Sequence, residues 1–253
     1  MTFQPPGEFA GRRVLVTGAG SGMGLAATRL LVERGASVVG AARSDDSLHA
    51  VAGVGGRPVR SDVTLAADRA ELVRQADAID HLVIAHCETT GQPIDTVTQD
   101  DYDRLMASNL GSVFFLLQAF AHRLPDDGSV VTVSSTAAKT GAIPEVAVYA
   151  AAKSGVLSLT RSFASAHAAR GMRVNCVLPG IIDTPMQRRF LELNAPLRGL
   201  TPDALHAERL AATPMHRAGT PDEAAEVILF LLSSRSSYLT GQCLNVAGGF
   251  VTW

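Results

Sequence analysis

Short apolar runs without polar alternation recur along this chain, and most are separated by stretches of helical periodicity. A strand that lacks alternation is buried on both faces, which requires layers packed above and below its sheet. Arg13–Thr17, Ser37–Ala42, Arg57–Ser61, His81–Ala85, Ser129–Ser134, Arg173–Leu178 and Cys243–Val246 are the predicted strands. Gly22–Glu33, Ala66–Ala76, Asp100–Arg123, Val148–Arg170 and Pro221–Ser233 carry the helical pattern. Such alternation builds right-handed βαβ units, and hence an α/β domain with one parallel sheet covered by helices on both sides. No repeat or low-complexity tract divides the 253 residues, so a single domain over 1–253 is expected. Ile182–Pro214 stands apart as long and irregular; it is expected to form an insertion at about 183–214 that covers the substrate.

Composition narrows the function. Apolar residues make up 47% and charged residues 18%, enough for a sizeable core and against disorder. The net charge of −2 and the lack of a basic run leave no electrostatic footprint for nucleic acid. Met1–Arg13 has no signal-like apolar stretch, and the longest strongly apolar run, Val227–Leu232, is too short to span a bilayer. Cys87, Cys176 and Cys243 fit neither a disulfide framework nor a zinc pattern; they are expected as buried small hydrophobes. No metal and a cytoplasmic location are the resulting expectations.

The first strand leads into Thr17-Gly18-Ala19-Gly20-Ser21-Gly22-Met23-Gly24, and a helix follows. A diphosphate needs close backbone approach and free N–H groups at a helix N-terminus, which side chains would obstruct. Gly18, Ser21, Gly22, Met23 and Gly24 are therefore candidate dinucleotide contacts. The end of the second strand should meet the adenosine ribose, where a carboxylate would accept from a 2′-hydroxyl. Here the chain has Ala41-Ala42-Arg43-Ser44, and Arg43 suits a 2′-phosphate instead. NADP is accordingly predicted in preference to NAD, with Asp45 and Asp46 close enough to compete for the arginine. Asp62 is placed either to accept from the adenine amino group or to cap its own loop.

Tyr149 and Lys153 are four residues apart on a predicted helix and share one face. A free phenol titrates near 10, and a neighbouring ammonium favours the phenolate needed for proton exchange near neutrality. Ser134-Ser135 ends the fifth strand upstream of this pair, and Asn109 lies in the preceding long helix.

Taken in order, Thr17–Gly24, Asp62-Val63, Asn109, Ser135, Tyr149 with Lys153, and Pro179-Gly180 with Thr184 resemble the short-chain dehydrogenase/reductase family over nearly the whole chain. The resemblance implies a Rossmann-type doubly wound sheet of about seven strands. It implies hydride transfer between NADP(H), less readily NAD(H), and a secondary alcohol or ketone. Tyr149 would be the general acid/base, Lys153 would lower its pKa and hold the nicotinamide ribose, and Ser135 would hydrogen-bond the reacting oxygen. Asn109 would hold a water linking Lys153 to solvent. Pro179, Gly180, Ile182 and Thr184 would wall the nicotinamide, with Val63 and Ala85 also at the cofactor. A homo-oligomer, tetramer or dimer, through the two long helices is implied as well. Dehydrogenation of a cyclic dihydrodiol uses the same residues, and a non-catalytic dinucleotide sensor would use the same fold.

Three departures from the family pattern matter. Ile84-Ala85-His86-Cys87 stands where Asn-Asn-Ala-Gly is usual, which removes an asparagine tie between central strands. A packed or cofactor-adjacent role is expected for His86. The family serine lies thirteen residues before the tyrosine, a spacing that Thr136 has and Ser135 lacks; an extra residue in Ala142–Val148 would reconcile Ser135. Ala247 replaces an acid before Gly248-Gly249. For the substrate, Met186, Phe190, Leu191, Leu193 and Leu197 are expected as apolar lining, with Ile143, Glu145 and Val146 as a second wall. Arg188, Arg189, Arg198 and Arg209 are expected as solvated cations before carboxylate receptors.

Overall fold

The computed structural model describes residues 7–141 and 143–253. Met1–Pro6, part of the N-terminal expectation, and Ala142, part of the extra-residue expectation, lie outside the described residues.

Seven strands form one parallel sheet in the order β3-β2-β1-β4-β5-β6-β7. They are β1 Arg13–Thr17, β2 Ser37–Ala42, β3 Arg57–Arg60, β4 His81–Ile84, β5 Ser129–Val133, β6 Arg173–Pro179 and β7 Cys243–Val246. Order reverses between β1 and β4, so the carboxyl ends of these two strands open a crevice. Successive strand residues enter opposite layers, which is why alternation is missing from the sequence. Leu15, Leu82 and Ile84 join one apolar cluster, while Val14, Val16 and Val83 join the other.

The helices are α1 Gly22–Glu33, α2 Asp45–Gly53, α3 Ala66–Ala76, α4 Gln99–Met106, α5 Ser112–Ala121, α6 Ala137–Thr140, α7 Ala147–His167, α8 Pro185–Asn194, α9 Pro202–Ala211 and α10 Pro221–Leu232. Residues of α1, α2 and α10 fill one layer, and residues of α3, α5 and α7 the other. Gln99–Ala121 is long and apolar enough to cross a membrane by composition, and half of its apolar window is buried in this domain.

Three sequence expectations are corrected. The long helix over Asp100–Arg123 is interrupted by a π-turn at Ala107–Gly111, between α4 and α5. Ile182–Pro214 is not irregular: it contains α8 and α9. Thr184 and Thr201 cap these helices by accepting from Gln187 N and Ala204 N, and Pro185 and Pro202 occupy the first turn. Proline costs nothing there, because the N–H it lacks has no partner within the helix. Of the cysteines, Cys176 is buried, but Cys87 and Cys243 are only partly so.

Candidate active site

The crevice between β1 and β4 is built from backbone. Gly18 continues β1 with φ +68°, and a Cβ there would lie 2.6 Å from His86 N. Gly20 faces α2, where a Cβ would lie 2.2 Å from Ser47 Cβ and 2.7 Å from Ser47 Cα. Ser21 begins α1 but makes no side-chain cap, and no acid occupies the first turn. The first N–H groups of α1 are thus left for an anion. The resulting cavity, about 280 Å³, is lined by Gly18, Ser21, Gly22, Met23, Gly24, Arg43, Asp62, Val63, Ala85 and Thr184, all candidates from the sequence. His86, expected to be packed or cofactor-adjacent, also lines it, as do Gly20, Ser44, Ser47, Ser61, Thr64, Cys87, Ser108 and Met186, which were not anticipated as dinucleotide contacts. Ser61 Oγ is buried there without a hydrogen-bond partner.

Competition for Arg43 comes from an unexpected side. Asp45 pairs with Arg60, whereas Arg43 is 62% exposed and only 3.8 Å from Asp62 Oδ2. Asp62 itself caps its loop, accepting from Thr64 N at 3.0 Å and Thr64 Oγ1 at 2.7 Å. Burial pushes its carboxyl up, but these bonds and the positive charge of Arg43 outweigh burial and leave its pKa below the ordinary value. Of its two sequence readings, the loop cap is the one that these bonds display.

His86 replaces the tie whose loss the sequence implied. Ser112 N reaches back to Ala107 O across the π-turn, which spares the carbonyl of Ser108 for the Ser112 hydroxyl at 2.7 Å. That hydroxyl has spent its proton, so it accepts from His86 Nε2 at 2.7 Å. Nδ1 is then the acceptor for Thr17 Oγ1 at 2.8 Å. The imidazole joins the end of β1 to α5 in one neutral tautomer. Burial, helped by Lys153 and Arg43, pushes its pKa down to about 3.

Across Met23, Cys87, Thr184 and Met186, which belong to both, this cavity adjoins a second one of about 320 Å³. Ser135, Thr136, Tyr149, Pro179, Gly180 and Ile182 line the second. Tyr149 sits in the first turn of α7, and Ser134 Oγ donates to Lys153 O at 2.8 Å, tying the end of β5 to that helix. The hydrogen bond of Ser135 pulls the Tyr149 phenol down. Burial outweighs it, with the Cys87 thiol adding to burial, and the phenol stands above its ordinary value. The expected lowering by Lys153 is therefore not present in this state. Lys153 is fully buried, donates from Nζ to Val133 O at 2.9 Å and stands 5.8 Å from the Tyr149 ring centroid. Neither Lys153 nor Asn109 lines either cavity. Asn109 is buried in the π-turn, bonding Glu88 N and Glu88 O at 3.1 Å each.

The insertion closes the second cavity with Met186, Gln187, Phe190, Asn194, Leu205 and Arg209, while Ile143, Glu145, Val146 and Phe250 complete it. Other expected lining residues lie elsewhere. Leu191 packs with Ala195 and Leu205 in the insertion's own small core, and Leu197 is 42% exposed. Leu193 faces a groove beside Gly91 and Gln92. The four arginines also separate. Arg188 is exposed near Asp183, Arg189 borders the outer groove, and Arg198 lines the second cavity paired with Glu208 at 2.8 Å. Arg209 turns inward, its guanidinium 4.3 Å from the Phe190 ring centroid.

Comparison with known proteins agrees with this arrangement. A family model described as enoyl-(acyl carrier protein) reductase matches residues 18–251. A 3-oxoacyl-[acyl-carrier-protein] reductase of Chlamydia pneumoniae is 34% identical, over 95% of this chain and 97% of the relative. A solved short chain dehydrogenase/reductase family protein superposes with TM-score 0.83 at 32% identity, covering 96% of this chain and 98% of its own. A blue fluorescent protein from a metagenomic library, solved in complex with NADPH, gives TM-score 0.85 at 29% identity, with 97% and 100% covered.

Proposed function

Because the chain belongs to the short-chain dehydrogenase/reductase family of nicotinamide-dependent oxidoreductases, we propose that it reduces a ketone to a secondary alcohol with NADPH, using Tyr149 as proton donor. The carrying observation is that Tyr149 and Ser135 line an apolar cavity sharing a wall with the glycine-lined one. The first cavity fits a dinucleotide phosphate. The uncapped start of α1 supports binding of the diphosphate, the orphaned Ser61 Oγ supports a polar group beside it, and Arg43 supports a 2′-phosphate. NADPH is also what one structural neighbour holds. When bound, the cofactor supplies the hydride.

Tyr149 gives its phenolic proton to the substrate oxygen, which becomes the hydroxyl. Ser135 donates to the same oxygen and fixes its position. The raised phenol is protonated near neutrality, the state that reduction needs. The buried Lys153 stabilises the phenolate left behind and would hold the nicotinamide ribose. The Tyr149 phenolate then takes a proton from Lys153, and a water held at Asn109, within the π-turn, would return one to Lys153 from solvent. Pro179, Gly180, Ile182 and Thr184, which line the second cavity, would form the wall beside the nicotinamide. The relatives' names put 3-oxoacyl derivatives first among ketones to test. Phe114 and Phe115, 36% and 45% exposed on α5, support self-association through the long helices, which light scattering will report.

The test is NADPH oxidation across ketones, including 3-oxoacyl thioesters, by wild type and Tyr149→Phe. We expect turnover that falls at least about 1000-fold in the variant, with NADPH affinity retained. Full turnover by Tyr149→Phe would overturn the assignment.

A further inference from the structure

Among the described residues, eight buried side-chain polar atoms lack a hydrogen-bond partner, and four of them, Gln187 Nε2, Asn194 Oδ1, His206 Nδ1 and Arg209 Nη1, lie in α8 and α9. Gln187, Asn194 and Arg209 line the cavity that holds Tyr149. A buried polar atom without a partner costs about 1–3 kcal/mol, and more when charged. Such atoms are few in native structures, and each calls for a partner or a role that the chain's own packing does not supply.

Arg209 is the most informative. No Asp or Glu among the described residues is within ion-pair distance of it, because Glu208, next in sequence, is turned to Arg198. Its neighbour is the face of Phe190, a cation–π contact that leaves the in-plane N–H groups free. Burial lowers its pKa to about 10, so it stays a cation at neutral pH. A guanidinium held this way presents a planar fork that matches a carboxylate. Gln187 adds a second unsatisfied donor. Glu145 lines the same cavity from the turn just before α7, so an anion would be repelled at the Tyr149 end. Arg198 and Glu208 line the insertion wall of the cavity as a mutual pair, so Arg209 leaves that wall net positive and orients a substrate with its anion toward α9 and its carbonyl toward Tyr149.

We propose that the cavity over Tyr149 selects ketones carrying a free carboxylate, bound by Arg209 and Gln187. This rests on the ketone reductase reading. In the reaction the carbonyl carbon gains the hydride of NADPH, its oxygen gains the Tyr149 proton, and NADP⁺ leaves; the carboxylate is unchanged and serves only for recognition.

The experiment compares acetoacetate and levulinate with their methyl esters, and acetoacetate with its N-acetylcysteamine thioester, by NADPH oxidation. Losing a partner for a buried charged donor discriminates strongly, so kcat/KM for the better acid is expected to exceed that of its ester by about 100-fold. Arg209→Leu should bring that ratio near one, mainly through KM of the acid, and Arg209→Lys should restore part of it. Two further readouts do not depend on turnover. Without ligand, Arg209→Leu should melt higher than wild type, since a buried unpaired charge is removed. Levulinate with NADP⁺ should raise the Tm of wild type and not of Arg209→Leu. Equal kcat/KM for acid and ester in wild type, or an acid-dependent Tm shift that survives Arg209→Leu, would overturn the inference while leaving the reductase reading intact. No turnover of acid, ester or thioester would remove both.

Discussion

His86 and Arg209 are basic side chains in the walls of one cleft, and they are held in opposite ways. His86, at the glycine-rich end, has both ring nitrogens bonded and is pushed to its neutral form. Arg209, at the insertion end, keeps its charge and has a buried nitrogen with no partner. A histidine escapes a desolvated site by shedding its proton, whereas a guanidinium cannot, so burial there stores a demand for an anion. The glycine-rich end is thus a finished backbone cradle, and the insertion end is a binding surface awaiting its ligand. Substitutions at the first should move cofactor KM and stability; substitutions at the second should move substrate choice.

The sharpest way to break that division is Gly20→Val. Any Cβ would meet the backbone of Ser47, so the start of α2 must shift. Strain of ~1–3 kcal/mol corresponds to a rise in NADPH KM of about 5- to 150-fold, with the acid-to-ester ratio unchanged. A change in that ratio would show that the two ends are not separate. Arg43→Ala should come next. Loss of a charge-assisted contact lowers the NADPH over NADH preference about 10-fold, read from kcat/KM with each cofactor, and comparable values for both cofactors in wild type would remove the role given to Arg43.

His86→Ala should have the smallest kinetic effect, raising cofactor KM a few-fold with kcat nearly unchanged. Its larger effect is on stability, about 1–3 kcal/mol by denaturant titration, because Thr17 and Ser112 lose their partner. The same residue gives a pH signature. His86 and His81 have native pKa values of about 3 and about 4, set first by burial, below the ordinary value near 6.5. Between those values the unfolded chain binds more protons, so stability is intact above about 6.5 and is lost as pH falls towards 4 and 3. A flat Tm between pH 7 and 4.5 would contradict this, and His86→Asn should make the slope shallower.

Much of the cradle was legible because its signals are local. Strand, glycines and helix follow one another within Arg13–Glu33, and the missing acid at Ala42 is a single position. Tyr149 and Lys153 share a helix face by spacing alone. The insertion was misread for a local reason too. Thr184-Pro185 and Thr201-Pro202 are helix starts, and Thr220-Pro221 repeats the signal at α10. Proline breaks a helix interior but suits its first turn, so the same residue marks either a stop or a start.

The order of apolar runs, the glycines and the Tyr149–Lys153 spacing determined the fold class and the two-cavity plan from sequence, since each depends on neighbours along the chain. That Arg209 stacks on Phe190 without a carboxylate partner, that the π-turn frees a carbonyl for the His86 relay, and that Lys153 bonds Val133 O while lying against the Tyr149 ring were decided only in three dimensions. Each depends on partners far away in sequence. Whether a buried polar group finds one is a property of packing, which no window of residues contains.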